Sequence, residues 1–594
     1  MAAAPFLAAR PSRGAHEPPR ARARPGTSAW PSAARWETLN KAIDGRLLQP
    51  VSPFSACGTA PAGASCQEAL KNLRNPYYLG DQVALTQTSG WLDAWTSQPS
   101  TYAVVAQNTD DVVAAVNFAR RQNLRLVVKG GGHSYQGTSC AGDSLLIWTR
   151  HMNHIAMYDA FIARGCEKKQ RPQPAVSVGA GAVWSDAYDA VTTRGSRYVQ
   201  GGGCMTVGVA GLVQSGGFGS FSKRYGTAAA GLLEAEIVTA DGAARIANAC
   251  THADLFWAIK GGGGGSFGVI TRLTLRTREL PEYFGAVLSK IRASTAAAFR
   301  ALVAQAISFY RRELFNPHWG EQMRFHSDNA LSIQMLFQGL NREQANTLWA
   351  PFFDWVRGSS AYSFAEDVRI LQVPAGKFWD ASYFEQHVPG AMIADRRPGS
   401  PPHHTFWAGD QGQVGQFLHG YKSAWMPAAL LETDRQAALV DAIFASTRHC
   451  EVSFHFNKGL AGAPADEIAA ARDTAMNPAV LDAFALVIIA GEGASMFAGL
   501  PGVTQDAESL RSARAAAAGI SRAMDELLRV VPRAGSYVSE SDYFEREWQT
   551  AFWGNHYSAL ARIKRRYDPS GLFFVHHGVG SEAWSDAGFT PLLR

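Results

Sequence analysis

The chain has 594 residues, enough for two to four domains. Apolar residues at 46% and charged residues at 18% supply a large core, which excludes a disordered or fibrous polymer. The formal charge is +6, but residues 1–35 hold six arginines against the single acid Glu17, so the rest is near neutral and lacks the basic face of a globular nucleic-acid binder. No run of 18 apolar residues occurs, so no transmembrane helix is expected.

Residues 1–35, rich in Ala, Pro and Arg, read as a disordered basic leader with no clear secretion signal. Seven cysteines occur without a CxxC, which removes zinc ribbons and thioredoxin-like motifs. Cys57 and Cys66 close a short Gly/Ala/Pro loop, compatible with a disulfide in an exported protein and equally with two buried thiols. An N-terminal segment is expected over 36–97.

Ordinary globular patterning follows. A strand is predicted over 101–107, a helix capped by Thr109 over 110–121, and a strand over 124–129, together a β-α-β unit. Further strands are expected at 145–149, 175–179, 234–239 and 269–277. Asp241-Gly242 signals a hairpin. After Leu280 the texture changes to Ala-rich helices (296–310, 506–530) among strands at 323–325, 331–337, 451–456 and 485–489, with a Pro-rich break at 397–403. This predicts a second α+β domain over 281–530 with a largely antiparallel sheet. Residues 531–594 are aromatic and charged, with a helix near 557–567.

Glycine is concentrated in three segments, 130–137, 201–219 and 261–265. Glycine lets backbone N–H groups converge on an anion, so these clusters predict a ligand with phosphates. No Walker A string exists. The GxGxxG at 263–268 has a helix before it and a strand after it, the reverse of a Rossmann site. On residue type alone His133 reads equally as a satisfied loop histidine and Cys204 as a small buried apolar residue. No metal-ligand spacing surrounds His133, and no metal is expected.

The strings themselves are similar to a known family. Val128-Lys129-Gly130-Gly131-Gly132-His133-Ser134-Tyr135-Gln136-Gly137 resembles the pyrophosphate loop of flavin oxidases of the vanillyl-alcohol oxidase/PCMH fold, in the branch named for berberine bridge enzyme. Gly203-Cys204-Met205-Thr206-Val207-Gly208 resembles that branch's second attachment string. Gly216-Gly217-Phe218-Gly219, Lys223–Gly226, Glu236–Gly242, Leu255–Gly263 and the C-terminal Trp548, Trp553-Gly554, Tyr557 and Tyr567-Asp568-Pro569 follow in the order the branch has them.

The resemblance implies an α+β protein: a two-lobed PCMH-type FAD-binding domain over 98–280, a substrate domain, and a C-terminal segment that returns to complete the FAD domain. It implies FAD bonded to His133 through the 8α-methyl carbon and to Cys204 through C6. It implies cofactor contacts from Gly130, Gly131, Gly132, Ser134, Gly137, Gly203, Val207, Gly208, Gly216, Gly217, Gly219, Val238 and His556. The expected reaction transfers hydride from an alcohol, sugar or natural-product C–H to the flavin, with molecular oxygen as acceptor giving peroxide. Two covalent bonds should raise the flavin's potential, and about 30 mV is a tenfold change in equilibrium for two electrons.

Two positions depart from the branch. His556 stands where an Asn is usual, and Phe552 where some members carry a catalytic tyrosine, which leaves the base open. Tyr135 is the first candidate; Lys458, Glu540 and Tyr557 follow. Val207, three residues after the attachment cysteine, is the small residue that accompanies oxygen reactivity in the branch. The alternatives are a dehydrogenase using a quinone or protein acceptor, and a non-catalytic flavin- or sugar-binding protein.

Overall fold

The computed structural model describes residues 20–503 and 506–592. Strand Tyr102–Val105, helix Thr109–Gln122 and strand Arg125–Lys129 stand where the sequence puts them. Two details differ. The helix cap is Asn108, whose side chain accepts the Asp111 N–H at 3.0 Å; Thr109 is already helical and donates its hydroxyl to Glu236. The two strands are also not neighbours. Ser144–Trp148 runs parallel between them, giving a four-stranded sheet edged by Leu47–Leu48.

A six-stranded sheet follows, built on Ala244–Asn248, Leu232–Val238, Val269–Glu279, Gln173–Gly179 and Ile155–Phe161, with Arg197–Val199 on the long third strand. The Asp241-Gly242 hairpin joins its first two strands, with Gly242 at φ 79°. Val238 is buried in this lobe's core.

The second lobe is a nine-stranded sheet in which every pairing but one is antiparallel. Three predicted strands extend, to Trp319–Phe325, Ala330–Gln338 and Ala483–Gly493, while the one predicted at 451–456 is shorter, Val452–His455. Three long strands add to the predicted set: Tyr283–Ala293, Tyr362–Pro374 and Phe417–Pro427. Helices Ala296–Phe309, Thr433–Thr447 and Ala507–Leu528 contribute to one apolar core with this sheet. Gly90–Trp91 pairs in parallel with Phe417–Leu418, so part of the 36–97 segment is the edge of this sheet rather than a separate unit.

The leader needs correction from residue 20 onward; residues 1–19 lie outside the described residues. Arg22 is buried, donates to the Gly571 carbonyl at 2.5 Å and lies over the Trp584 ring. Ala23 bridges to Leu124, and a helix runs from Ala33 to Ala42. The arginines at this end therefore include a structural one. The C-terminal segment reaches the first sheet: Phe573 bridges to Leu126, and the buried Lys564 ammonium reaches the Ser266 and Phe573 carbonyls and Asp568.

Cys57 and Cys66 form a disulfide. A second bond, Cys166–Cys250, was not expected from the sequence; it joins residues 84 apart. No helix among the described residues is long and apolar enough to cross a membrane.

Candidate active site

A cleft of about 300 Å³ opens where the glycine loops of the first lobe meet the second lobe and the returning C-terminal segment. Gly130–Gln136, Val207, Gly208, Gly263–Ser266, Lys458, Tyr537–Glu540 and Val575–Gly578 are among its lining. Strand Arg125–Lys129 delivers the chain into the first loop. Just before that loop the Lys129 ammonium is buried on the carbonyls of Gln82, Val83 and Leu85 at 2.7–2.9 Å, which fixes the loop's root.

The two glycine strings touch. A Cβ on Gly131 would lie 2.8 Å from the Gly208 nitrogen and 3.0 Å from the Thr206 carbonyl oxygen, so only glycine permits this approach. The consequence is that His133 and Cys204 reach the same hydroxyl. His133 Nε2 is 3.0 Å from Thr206 Oγ1, and Cys204 Sγ is 3.6 Å from it. Burial pushes the His133 imidazole down to about 4, so it is neutral at working pH. Burial, with Asp410 adding to it, pushes the Cys204 thiol up to about 12.

FAD fits these surroundings. Gly264 lines the cleft uncrowded, its Cβ position meeting only Gln214 at an ordinary contact distance of 3.7 Å. Gln136 Oε1 and His577 Nδ1 are buried in lining residues without a partner. Lys458 is the one lysine among the described residues of the lining, and both Glu540 carboxylate oxygens hold it at 2.6 Å. An anion here would therefore rest on backbone N–H groups of the glycine loops.

The predicted site residues divide. His133, Ser134, Tyr135, Val207, Gly208, Lys458 and Glu540 line the cleft together with Gly130, Gly131 and Gly132. Gly137 packs under Trp95, where a Cβ would come within 2.6 Å of the ring. Gly203 is exposed beside the Trp407 indole, which donates to its carbonyl at 3.2 Å. Gly216, Gly217, Gly219 and Val238 stand behind the wall. Gly217 donates its N–H to the Tyr537 hydroxyl, and the Gly219 carbonyl accepts from Asn457. Tyr557 is turned away from the cleft, donating to Glu582 at 2.6 Å, and His556 is held by the Met476 carbonyl at 2.9 Å. Neither lines the cleft. Phe552 is buried against Trp553 and brings no hydroxyl.

Tyr135 packs on Tyr421 with ring centroids 4.8 Å apart. Burial, with Glu540 next, raises its phenol far above the ordinary value, which suits a hydrogen-bond donor and not a base at neutral pH. Sequence reasoning missed Asp410. It lies in the short helix Ala408–Gln413 of the second lobe, against the Cys204 thiol, with Oδ2 buried and unpartnered. Burial raises its carboxyl to about 6, with buried Glu321 adding to the shift. Glu321 itself is held by the Ser220 hydroxyl at 2.5 Å and sits at φ 67°, a left-handed backbone that is strained for a non-glycine residue. No local motif announces Asp410; only its fold neighbours make it notable.

Comparison with known proteins gives a consistent picture. Residues 100–248 match the FAD binding domain model, and residues 536–580 match the berberine and berberine-like model. The VAO-type flavoprotein oxidase VAO615 of Thermothelomyces thermophilus is 27% identical, over 95% of this chain and 94% of its own length. The crystal structure of the VAO-type flavoprotein MtVAO615 from Myceliophthora thermophila superposes with a TM-score of 0.76 at 24% identity, covering 95% of this chain and 98% of that one. Glucooligosaccharide oxidase of Acremonium strictum, described with a 6-S-cysteinyl, 8α-N1-histidyl FAD, shares the fold at a TM-score of 0.62 and 17% identity, covering 89% of this chain and 99% of that one.

Proposed function

Because the chain belongs to the berberine bridge enzyme-like FAD-linked oxidoreductases, we propose that it is an oxidase that removes hydride from an alcohol, sugar or natural-product C–H, with its flavin attached to His133 and Cys204 and oxygen as electron acceptor. The observation that carries this reading is the meeting of the cleft-lining His133 with Cys204 on the Thr206 hydroxyl, just behind Val207 and Gly208 of the lining. When bound, FAD supplies the hydride acceptor. Glycines 130–132 and 263–265 would hold the phosphates through backbone N–H groups. With Nε2–H donating to the Thr206 hydroxyl oxygen, the neutral His133 imidazole would keep its lone pair on Nδ1 for attachment. The same double linkage is described for the glucooligosaccharide oxidase.

Asp410 takes the substrate proton. A base works best with a pKa near the operating pH, and at about 6 its carboxyl meets this where Tyr135 does not. With Cys204 holding the flavin, the neighbouring Asp410 carboxylate would be the acidic side chain next to that attachment point. Tyr135, backed by the buried Tyr421, walls the site and orients substrate. The Lys458–Glu540 pair fixes the opposite rim without contributing net charge. Val207, small and in the lining, would leave oxygen a path to a bound flavin.

The test is anaerobic mixing of the holoprotein with sugars, aliphatic alcohols and benzylic alcohols, followed by admission of oxygen. Bleaching of the flavin's visible absorbance by at least one class, then recovery with stoichiometric peroxide, is expected. Bleaching that oxygen reverses slowly while a quinone reverses it quickly would make the protein a dehydrogenase. No bleaching across the panel would favour a binding protein.

A further inference from the structure

Outside the cleft, Asp186, His403 and His404 converge, and their ligand-type atoms all lie within 4.8 Å of one another. Asp186 sits in helix Trp184–Tyr188 of the first lobe; the two histidines precede strand Thr405–Trp407. His403 Nε2 and His404 Nε2 stand 3.1 and 3.0 Å from the same Asp186 Oδ1. A tetrahedral ion with nitrogen and oxygen ligands at about 2.0–2.1 Å separates neighbouring ligand atoms by about 3.3 Å; the two histidine–carboxylate pairs stand within a few tenths of an ångström of that, and the third pair lies within 4.8 Å.

The atoms facing away from this point are engaged separately. Asp186 Oδ2 accepts the Val183 N–H at 3.1 Å and lies 4.0 Å from Arg150, whose charge Asp81 matches at 3.0 Å. His403 Nδ1 faces Asp189 at 3.6 Å, and the His404 ring stacks on Tyr77 at 4.3 Å. Carboxylates and packing of this kind orient metal-binding imidazoles. His404 is buried, whereas the His403 side chain is 29% exposed, which leaves an entry path and a fourth position for water.

We propose that Asp186, His403 and His404 bind one divalent cation of the zinc class, which clamps the second-lobe segment carrying Asp410 onto the first lobe. The wiring supports a clamp. Trp184 and Ser185 donate their N–H groups to the Val207 and Met205 carbonyls, on either side of Thr206. The histidine segment runs on to Trp407, bonded to Gly203, and to Asp410. The ion would thus pin both flanks of Cys204 without entering the reaction. The inference stands whether or not the flavin is covalent.

Holoprotein dialysed against a chelator and then titrated with Zn²⁺, or with Co²⁺ as a spectroscopic probe, tests it. One equivalent retained through gel filtration, intense tetrahedral Co²⁺ bands at longer wavelength than the flavin's, and a raised unfolding midpoint are expected. Substitution of Asp186 risks unfolding, so His403→Ala, at the more exposed position, carries the comparison, with its flavin content confirming the fold. The variant should lose the equivalent and the bands. Substoichiometric metal in the wild type, or a full equivalent kept by His403→Ala, would overturn the assignment and leave two imidazole donors sharing a carboxylate.

Discussion

Asp410 carries the sharpest consequence of the site's electrostatics. Its carboxyl moves from an ordinary 3.8 to about 6, because burial takes it out of water and the Glu321 carboxylate adds to the rise, outweighing a hydrogen bond from Cys204 that lowers it. That shift corresponds to about 3 kcal/mol. The sign follows from proton binding: between pH 3.8 and about 6 the folded chain holds a proton that the unfolded chain has released, so stability falls as pH rises through this window. Asp410→Asn removes the penalty. Scanning calorimetry of both holoproteins across this range should show the variant's advantage absent at the acid end, growing to about 3 kcal/mol by pH 6 and flat above. The same substitution removes the base, so kcat/KM should fall by about 10²-fold or more and lose its acidic limb near pH 6. An advantage independent of pH, or a wild type more stable than the variant above pH 6, would refute the assignment of a raised carboxyl.

Val207→Leu should slow reoxidation of the reduced flavin by oxygen in stopped flow while leaving anaerobic reduction by substrate near the wild-type rate, since one methylene closes a gap of molecular size in a packed wall. Gly131→Ala should sharply reduce flavin retained after gel filtration, because its Cβ forces the 130 loop away from Gly208 and Thr206. Replacing the Cys166–Cys250 pair by serines should cost about 4.5 kcal/mol and replacing Cys57–Cys66 about 2.5 kcal/mol in the loop-entropy model, so thermal unfolding should show the larger loss for the longer loop.

The cofactor lobe was legible because its signals are local. The run Val128–Gly137 is a strand and its loop in one contiguous string, and the Gly203–Gly208 string meets it through glycines that no other residue can replace. Strand Tyr283–Ala293 is legible too, since Val287, Ile291 and Ala293 fall on its one buried face at two-residue spacing, with Phe284 on the other face, but its alternation is weaker than the neighbouring Ala-rich helical pattern. Strand Tyr362–Pro374 was not, because most of its residues are partly or fully exposed and give no apolar alternation. Asp410, Glu321 and the Asp186–His403–His404 cluster are assembled only by tertiary contact between segments far apart in the chain. Tyr557 shows the opposite failure: it sits at a position the family resemblance marks as functional, yet its hydroxyl is spent on Glu582.

The central claim is that two side chains hold the flavin. Acid-precipitated, fully denatured wild type, His133→Ala, Cys204→Ser and the double variant should be compared for flavin that remains with the protein, with peptide mapping of the adducts. The account predicts flavin on both residues in the wild type, on the remaining one in each single variant, and none in the double variant. Flavin that washes out of the denatured wild type would contradict it.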